Sequence, residues 1–70
     1  TKPAGNAMTD IISAVLADEE YQRTRARLEY VRQLYDVTDE RRYRIEAVRL
    51  EHELRALFAR IQRRLQGGVN

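Results

Sequence analysis

The stretch Tyr43-Arg44-Ile45-Glu46-Ala47-Val48-Arg49-Leu50-Glu51-His52-Glu53-Leu54-Arg55-Ala56-Leu57-Phe58-Ala59-Arg60-Ile61 decides the fold. Within it Tyr43, Ala47, Leu50, Leu54, Leu57 and Ile61 return at alternating steps of four and three, which is the spacing of a coiled-coil seam. Phe58 and Leu65 widen that seam toward its C-terminal end. Neither Pro nor Gly occurs between Met8 and Gln66, and the good helix formers Arg, Leu, Glu and Ala dominate there. No apolar–polar alternation and no Asn-Gly or Asp-Gly hairpin signal is present, so strands are not expected.

Working back toward the N-terminus, Ala14, Ala17, Tyr21, Thr24, Leu28, Val31 and Tyr35 repeat the same spacing, with Tyr30 and Leu34 broadening the stripe. Two seams on one short chain predict an all-α fold: an antiparallel helical hairpin of coiled-coil type, completed by a second copy as a dimeric four-helix bundle. The turn belongs at Asp36-Val37-Thr38-Asp39-Glu40. Val37 and Thr38 are poor helix formers, Asp36 or Thr38 can cap a new helix, and Asp39 and Glu40 suit its first turn. Thr9, followed by Asp10, reads as the N-cap of the first arm, and Gly67 as a left-handed C-cap of the last. The expected arms are therefore 10–36 and 39–66 within a helical region 9–66, with a flexible segment 1–8 before it and a tail 67–70 after it. The chain opens on Thr1 rather than Met, so Thr1–Ala7 is read as an appended stretch ahead of Met8 or as a processed end.

Asp18-Glu19-Glu20 is a competing helix start that would split the first arm. Length favours continuity: as single helices the arms would span about 40 Å and about 42 Å, a match that is lost if the first one breaks. A continuous first arm with a kink near Ala17 is the expectation.

Seventy residues allow one small domain, whose core is worth only about 3–5 kcal/mol without a staple. With no Cys, neither disulfides nor thiolate metal sites can supply one, so association with another chain remains. Ile45 and Val48 point the same way. They lie on the side of the second arm opposite its seam, in line with His52 and Ala59. Ile11, Ile12, Val15 and Leu16 make the start of the first arm apolar over more than one stripe. Either the first segment folds over Ile45 and Val48, or another chain covers them; the second is the expectation.

Chemistry finds little footing. His52 is the single histidine, and His52-Glu53-Leu54-Arg55-Ala56 starts like HExxH but has Ala56 where the second zinc ligand belongs. Arg49 stands where a di-iron ExxH pattern needs Glu. Ser13 is the single serine, with no base spaced to activate it, and Gly67-Gly68 is a tail rather than a phosphate cradle. No catalytic, cofactor or metal residues are assigned, and no enzyme activity is expected.

The net charge of +2 hides an uneven distribution, with twelve Arg and a single Lys among the bases. Residues 1–22 set Lys2 against four acids, whereas residues 54–70 carry Arg55, Arg60, Arg63 and Arg64 with none. Glu19–Arg23, Glu40–Arg44, Glu51–Arg55, Arg25–Glu29, Arg42–Glu46 and Arg49–Glu53 all stand at i,i+4, the spacing of ion pairs on a solvated helix face.

These observations lead to an expected non-catalytic oligomeric interaction or assembly module that binds a partner protein. Its oligomer or partner interface is expected at Tyr21, Leu28, Val31, Tyr35, Ile45, Val48, Leu50, Leu54, Leu57, Phe58 and Ile61. Arg42, Arg49, Arg60, Arg63 and Arg64 are the expected contacts to an acidic partner or polyanion. The alternative is an Arg-rich nucleic-acid-binding accessory protein, because Arg beside exposed Tyr suits phosphate and base stacking. No stretch approaches a membrane span and no secretory signal pattern is present, so a cytoplasmic location is expected.

Overall fold

A computed structural model describes residues 6–67, with side chains from Asp10 onward, and it is all-helical over that range. Three helices follow in order: α1 (Asn6–Ala17), α2 (Glu19–Thr38) and α3 (Arg41–Gly67). Glu20 at the start of α2 meets Arg60 near the end of α3, and Arg32 meets Glu51, so the two long helices lie side by side in opposite directions. The rod measures 52 × 20 × 18 Å.

The two seams face each other. Leu28 and Val31 of α2 pack on Leu50 of α3, with Tyr43, Ala47 and Leu54 against them. Further along α3, Leu57 and Ile61 are buried as well. The spacing read from the sequence thus selects the covered face of each long helix.

The first arm does not run through. It breaks at Asp18, whose backbone is extended (φ −81°, ψ 113°) and whose side chain accepts the Tyr21 N–H at 2.8 Å. Such a cap is worth about 1 kcal/mol, and Glu19 and Glu20 in the first turn of α2 add favourable charge at its positive end. The outgoing end of α1 is tied down too, because the Gln22 side-chain amide donates to the Val15 carbonyl at 3.0 Å. The length argument for continuity fails for a physical reason. At 1.5 Å per residue α3 outruns α2 by roughly 10 Å, and α1 turns back to pack on both. Ile11, Ala14 and Val15 are partly covered there, while Ile12 and Leu16 stay exposed.

The helix ends also differ from expectation. α1 begins at Asn6, so Thr9 lies inside it and is not its cap, and residues 6–8 are helical. Thr38 closes α2 rather than opening α3: its hydroxyl donates to the Leu34 carbonyl at 2.8 Å and accepts the Glu40 N–H at 3.3 Å. Asp39 takes the left-handed conformation (φ 57°, ψ 24°), and its N–H donates to the Tyr35 carbonyl at 2.7 Å. Asp tolerates this region better than most residues, because its short polar side chain bonds locally. Asp39 and Glu40 are therefore the link, and the first turn of α3 holds no acid. Gly67 ends α3 without a positive φ, so the left-handed cap expected there is not formed at that residue.

Candidate functional site

The eleven residues expected at an interface separate into two groups. Leu28, Val31, Leu50, Leu57 and Ile61 are buried within the chain itself, and Tyr21, Tyr35 and Leu54 are half-buried beside them. Their periodicity serves the packing of α2 on α3 within one chain. Ile45, Val48 and Phe58 remain exposed and are available to another molecule.

Ile45 and Val48 are 57% and 45% exposed, so α1 does not cover them. They floor a shallow groove of about 440 Å³ on the outer side of α3, rimmed by Arg41, Arg44, Arg49 and His52. All six residues come from one helix, because positions three and four apart share a face. The same face continues along α3 through Ala56 and Ala59. Further apolar side chains are open near the Glu20–Arg60 pair and on α1. Ile12 and Leu16 of α1 and Phe58 and Leu65 of α3 are the exposed large apolar side chains of these two helix segments.

Ion pairs decide which cations are free. One of the six expected i,i+4 pairs is present, Glu19–Arg23, at 4.0 Å. Pairs between α2 and α3 take precedence: Arg27–Glu46 at 3.9 Å, Arg60–Glu20 at 2.6 Å, and Arg32–Glu51. Arg49 approaches Glu46 at 3.8 Å, and Arg42 turns to Glu40 at 3.1 Å while its guanidinium lies 4.7 Å from the Tyr43 ring centre. Among the five cations expected to meet an acidic partner, Arg42, Arg49 and Arg60 are thus engaged within the chain. Arg63 and Arg64 are exposed and have no ion pair among the described residues, as do Arg41, Arg44 and Arg55.

The sequence reading did not single out Arg41 and Arg44 as partner contacts, although their positions around Ile45 and Val48 follow from helical geometry, nor Arg55 further along the helix. It also assigned the C-terminal end no acid. Glu20 supplies one from α2, which linear spacing along a single helix cannot show.

Among the described residues no helix is long and apolar enough to cross a membrane, and no group of three or more His, Asp and Glu side chains gathers to hold a metal. The chain matches no protein-family model, no curated protein and no solved structure.

Proposed function

We propose that this chain is a non-catalytic helical assembly module that binds a partner protein. In this reading α2 and α3 form an antiparallel coiled-coil-type hairpin, and two copies complete a four-helix bundle. The observation that carries it is a shortage of core. Among the described residues five apolar side chains are buried, none of them to below 2% exposure, while Ile12, Leu16, Ile45, Val48, Phe58 and Leu65 stay open. Small domains of this kind gain their remaining stability from another chain.

The exposed Ile12, Leu16, Phe58 and Leu65 are assigned to self-association, and the outer groove of α3 to the partner. Association makes stability depend on concentration, because only the folded chain binds. Sedimentation equilibrium is expected to give the mass of two chains, with a melting temperature that rises as protein concentration rises. Leu16→Glu combined with Phe58→Glu should give single chains that remain helical by circular dichroism. A single-chain mass for the parent, with melting independent of concentration, rejects the bundle.

A second reading, an Arg-rich nucleic-acid-binding accessory protein, draws on the unpaired Arg41, Arg44, Arg55, Arg63 and Arg64. Against it, six other Arg side chains are engaged by acids of the same chain. A phosphate binder loses affinity steeply as salt rises, so titration of a random duplex at two salt concentrations separates the readings.

A further inference from the structure

We infer that the outer groove of α3 receives an amphipathic helix of a partner protein whose apolar stripe is flanked by Asp and Glu. The inference rests on the assembly reading and specifies the chemistry of the partner. Its basis is the combination of an apolar floor with a rim that carries Arg and no acid. Of that rim, Arg41 and Arg44 have no ion pair among the described residues, while Arg49 is engaged by Glu46. Ile45 and Val48 form the floor, and Arg41, Arg44, Arg49 and His52 surround it. Arg55 continues the rim one turn beyond His52, on the side of Arg44. On that side Glu40 and Glu51 are engaged by Arg42 and by Arg32 of α2.

A second copy of the chain fits this face poorly. In an antiparallel two-fold pairing each flank of the helix meets its own copy, so Arg44 and Arg55 would face Arg44 and Arg55. In a parallel pairing opposite flanks meet, and Arg44 would face Arg49. The antiparallel arrangement opposes unpaired like charges across a narrow apolar centre, which costs specificity and affinity. The parallel one sets Arg44 against an Arg49 that Glu46 only partly offsets. A helix with acids on its flanks satisfies the unpaired Arg41, Arg44 and Arg55 while its apolar side chains cover Ile45 and Val48, the arrangement of helix-in-groove recognition.

A lipid surface is a weaker fit, because interfacial helices carry larger apolar side chains than these two. Phosphates would engage the rim and leave the floor wet. The occupant that uses both features is an acidic amphipathic helix.

The test uses the whole chain and three synthetic peptides in fluorescence titrations. The first is a three-heptad amphipathic helix with Leu at its apolar positions and Glu on both flanks. The second has Lys on the flanks, and the third is a scramble of the first with its charge kept and its stripe destroyed. The first peptide is expected to bind, the Lys peptide not at all, and the scramble at least about tenfold more weakly, which corresponds to 1.4 kcal/mol. Ile45→Ser with Val48→Ser should weaken binding of the first peptide by about tenfold or more. Arg41→Gln with Arg44→Gln and Arg55→Gln should weaken it and flatten its salt dependence. Both variants should keep the parent's helical signal and its mass.

Equal binding of the scramble, or of the Lys peptide, overturns the inference, and so does binding untouched by both variants. Tighter binding of a random duplex than of the acidic helix also overturns it in favour of nucleic acid. The outcomes are separable from those of the assembly reading. A two-chain mass without peptide binding rejects this inference and leaves self-association standing. A single-chain mass with peptide binding rejects the bundle and leaves this inference standing.

Discussion

The inner and outer faces of α3 use the same helix and similar apolar residues, yet they end in different states. On the inner face Leu50, Leu57 and Ile61 are buried, at 3–7% exposure. On the outer face Ile45 and Val48 sit in water between arginines. Periodicity tells which residues share a face, but it does not tell whether the chain has a surface to lay on that face. α1 could have covered either the outer stripe or the overhanging end of α3. It takes the end, because the Asp18 break leaves it only a short link from the start of α2.

The sharpest way to break this comparison is to make matched truncations on the two faces. Leu50→Ala removes a core side chain that touches Leu28 and Val31 and leaves a cavity, at a cost of about 2–5 kcal/mol. On so small a core that loss should abolish most of the helical signal at room temperature. Val48→Ala on the outer face should change the stability of the isolated chain by less than about 0.5 kcal/mol. Urea titration followed by circular dichroism measures both. Equal losses would mean that the outer face is covered in solution, and the contrast between the faces would not hold.

The next effect lies at the joint that sends α1 to its place. Asp18→Ala removes the acceptor for the Tyr21 N–H and should cost about 0.5–2 kcal/mol. Because α1 is the short helix, the change should be concentrated there, seen as faster amide hydrogen exchange in residues 10–17 than in α3. Exchange that rises equally along all three helices would show that α1 is not a separable layer.

Asp39 makes the contrasting joint. There the chain turns through a left-handed residue, not through an extended one. Glycine adopts that conformation without a Cβ penalty, so Asp39→Gly should raise the melting temperature slightly or leave it unchanged. Asp39→Val places a β-branched side chain at positive φ and should cost about 1–2 kcal/mol. If the glycine variant were the less stable of the two, the αL geometry of the link would be wrong.

How far the fold is legible from residues follows from these cases. The all-helical class, both seams and the place of the α2–α3 link within two residues come from spacing and breakers alone. Asp18-Glu19-Glu20 also carries its signal in plain view. It loses in the sequence reading to a length match that assumes two arms, whereas the chain solves the same mismatch with a third helix. The link is misread in detail because Thr38 can cap a helix that follows or close one that precedes, and spacing does not choose between them. At the candidate site, Ile45 and Val48 stand out in the sequence as apolar residues off the seam, but their arginine rim does not. Which cations are free depends on acids contributed by another helix.

Those cross-helix acids follow a rule that the sequence contains. Glu20, Arg27, Arg32, Glu46, Glu51 and Arg60 each adjoin a seam residue, namely Tyr21, Leu28, Val31, Ala47, Leu50 and Ile61. Positions flanking a seam reach across to the facing helix, so they compete with i,i+4 neighbours for the same partners. The competition explains why Glu51 is engaged by Arg32 and not by Arg55.

The smallest predicted effect tests that rule. Arg32 and Glu51 are both partly solvated, with side chains 56% and 37% exposed, so solvent screening limits what the pair contributes. A double-mutant cycle with Arg32→Gln and Glu51→Gln should give a coupling of about 0.2–1 kcal/mol, reduced by added salt. The cycle is informative because the competing pair predicts a different pattern. If Glu51 were held by Arg55 along its own helix, the coupling would appear with Arg55→Gln and vanish with Arg32→Gln. The geometry gives the reverse, with Arg55 making no ion pair to Glu51 and left exposed beyond His52. A measured Arg55–Glu51 coupling larger than that of Arg32 would therefore cancel a free cation on the outer face and narrow the difference between the two sides of α3.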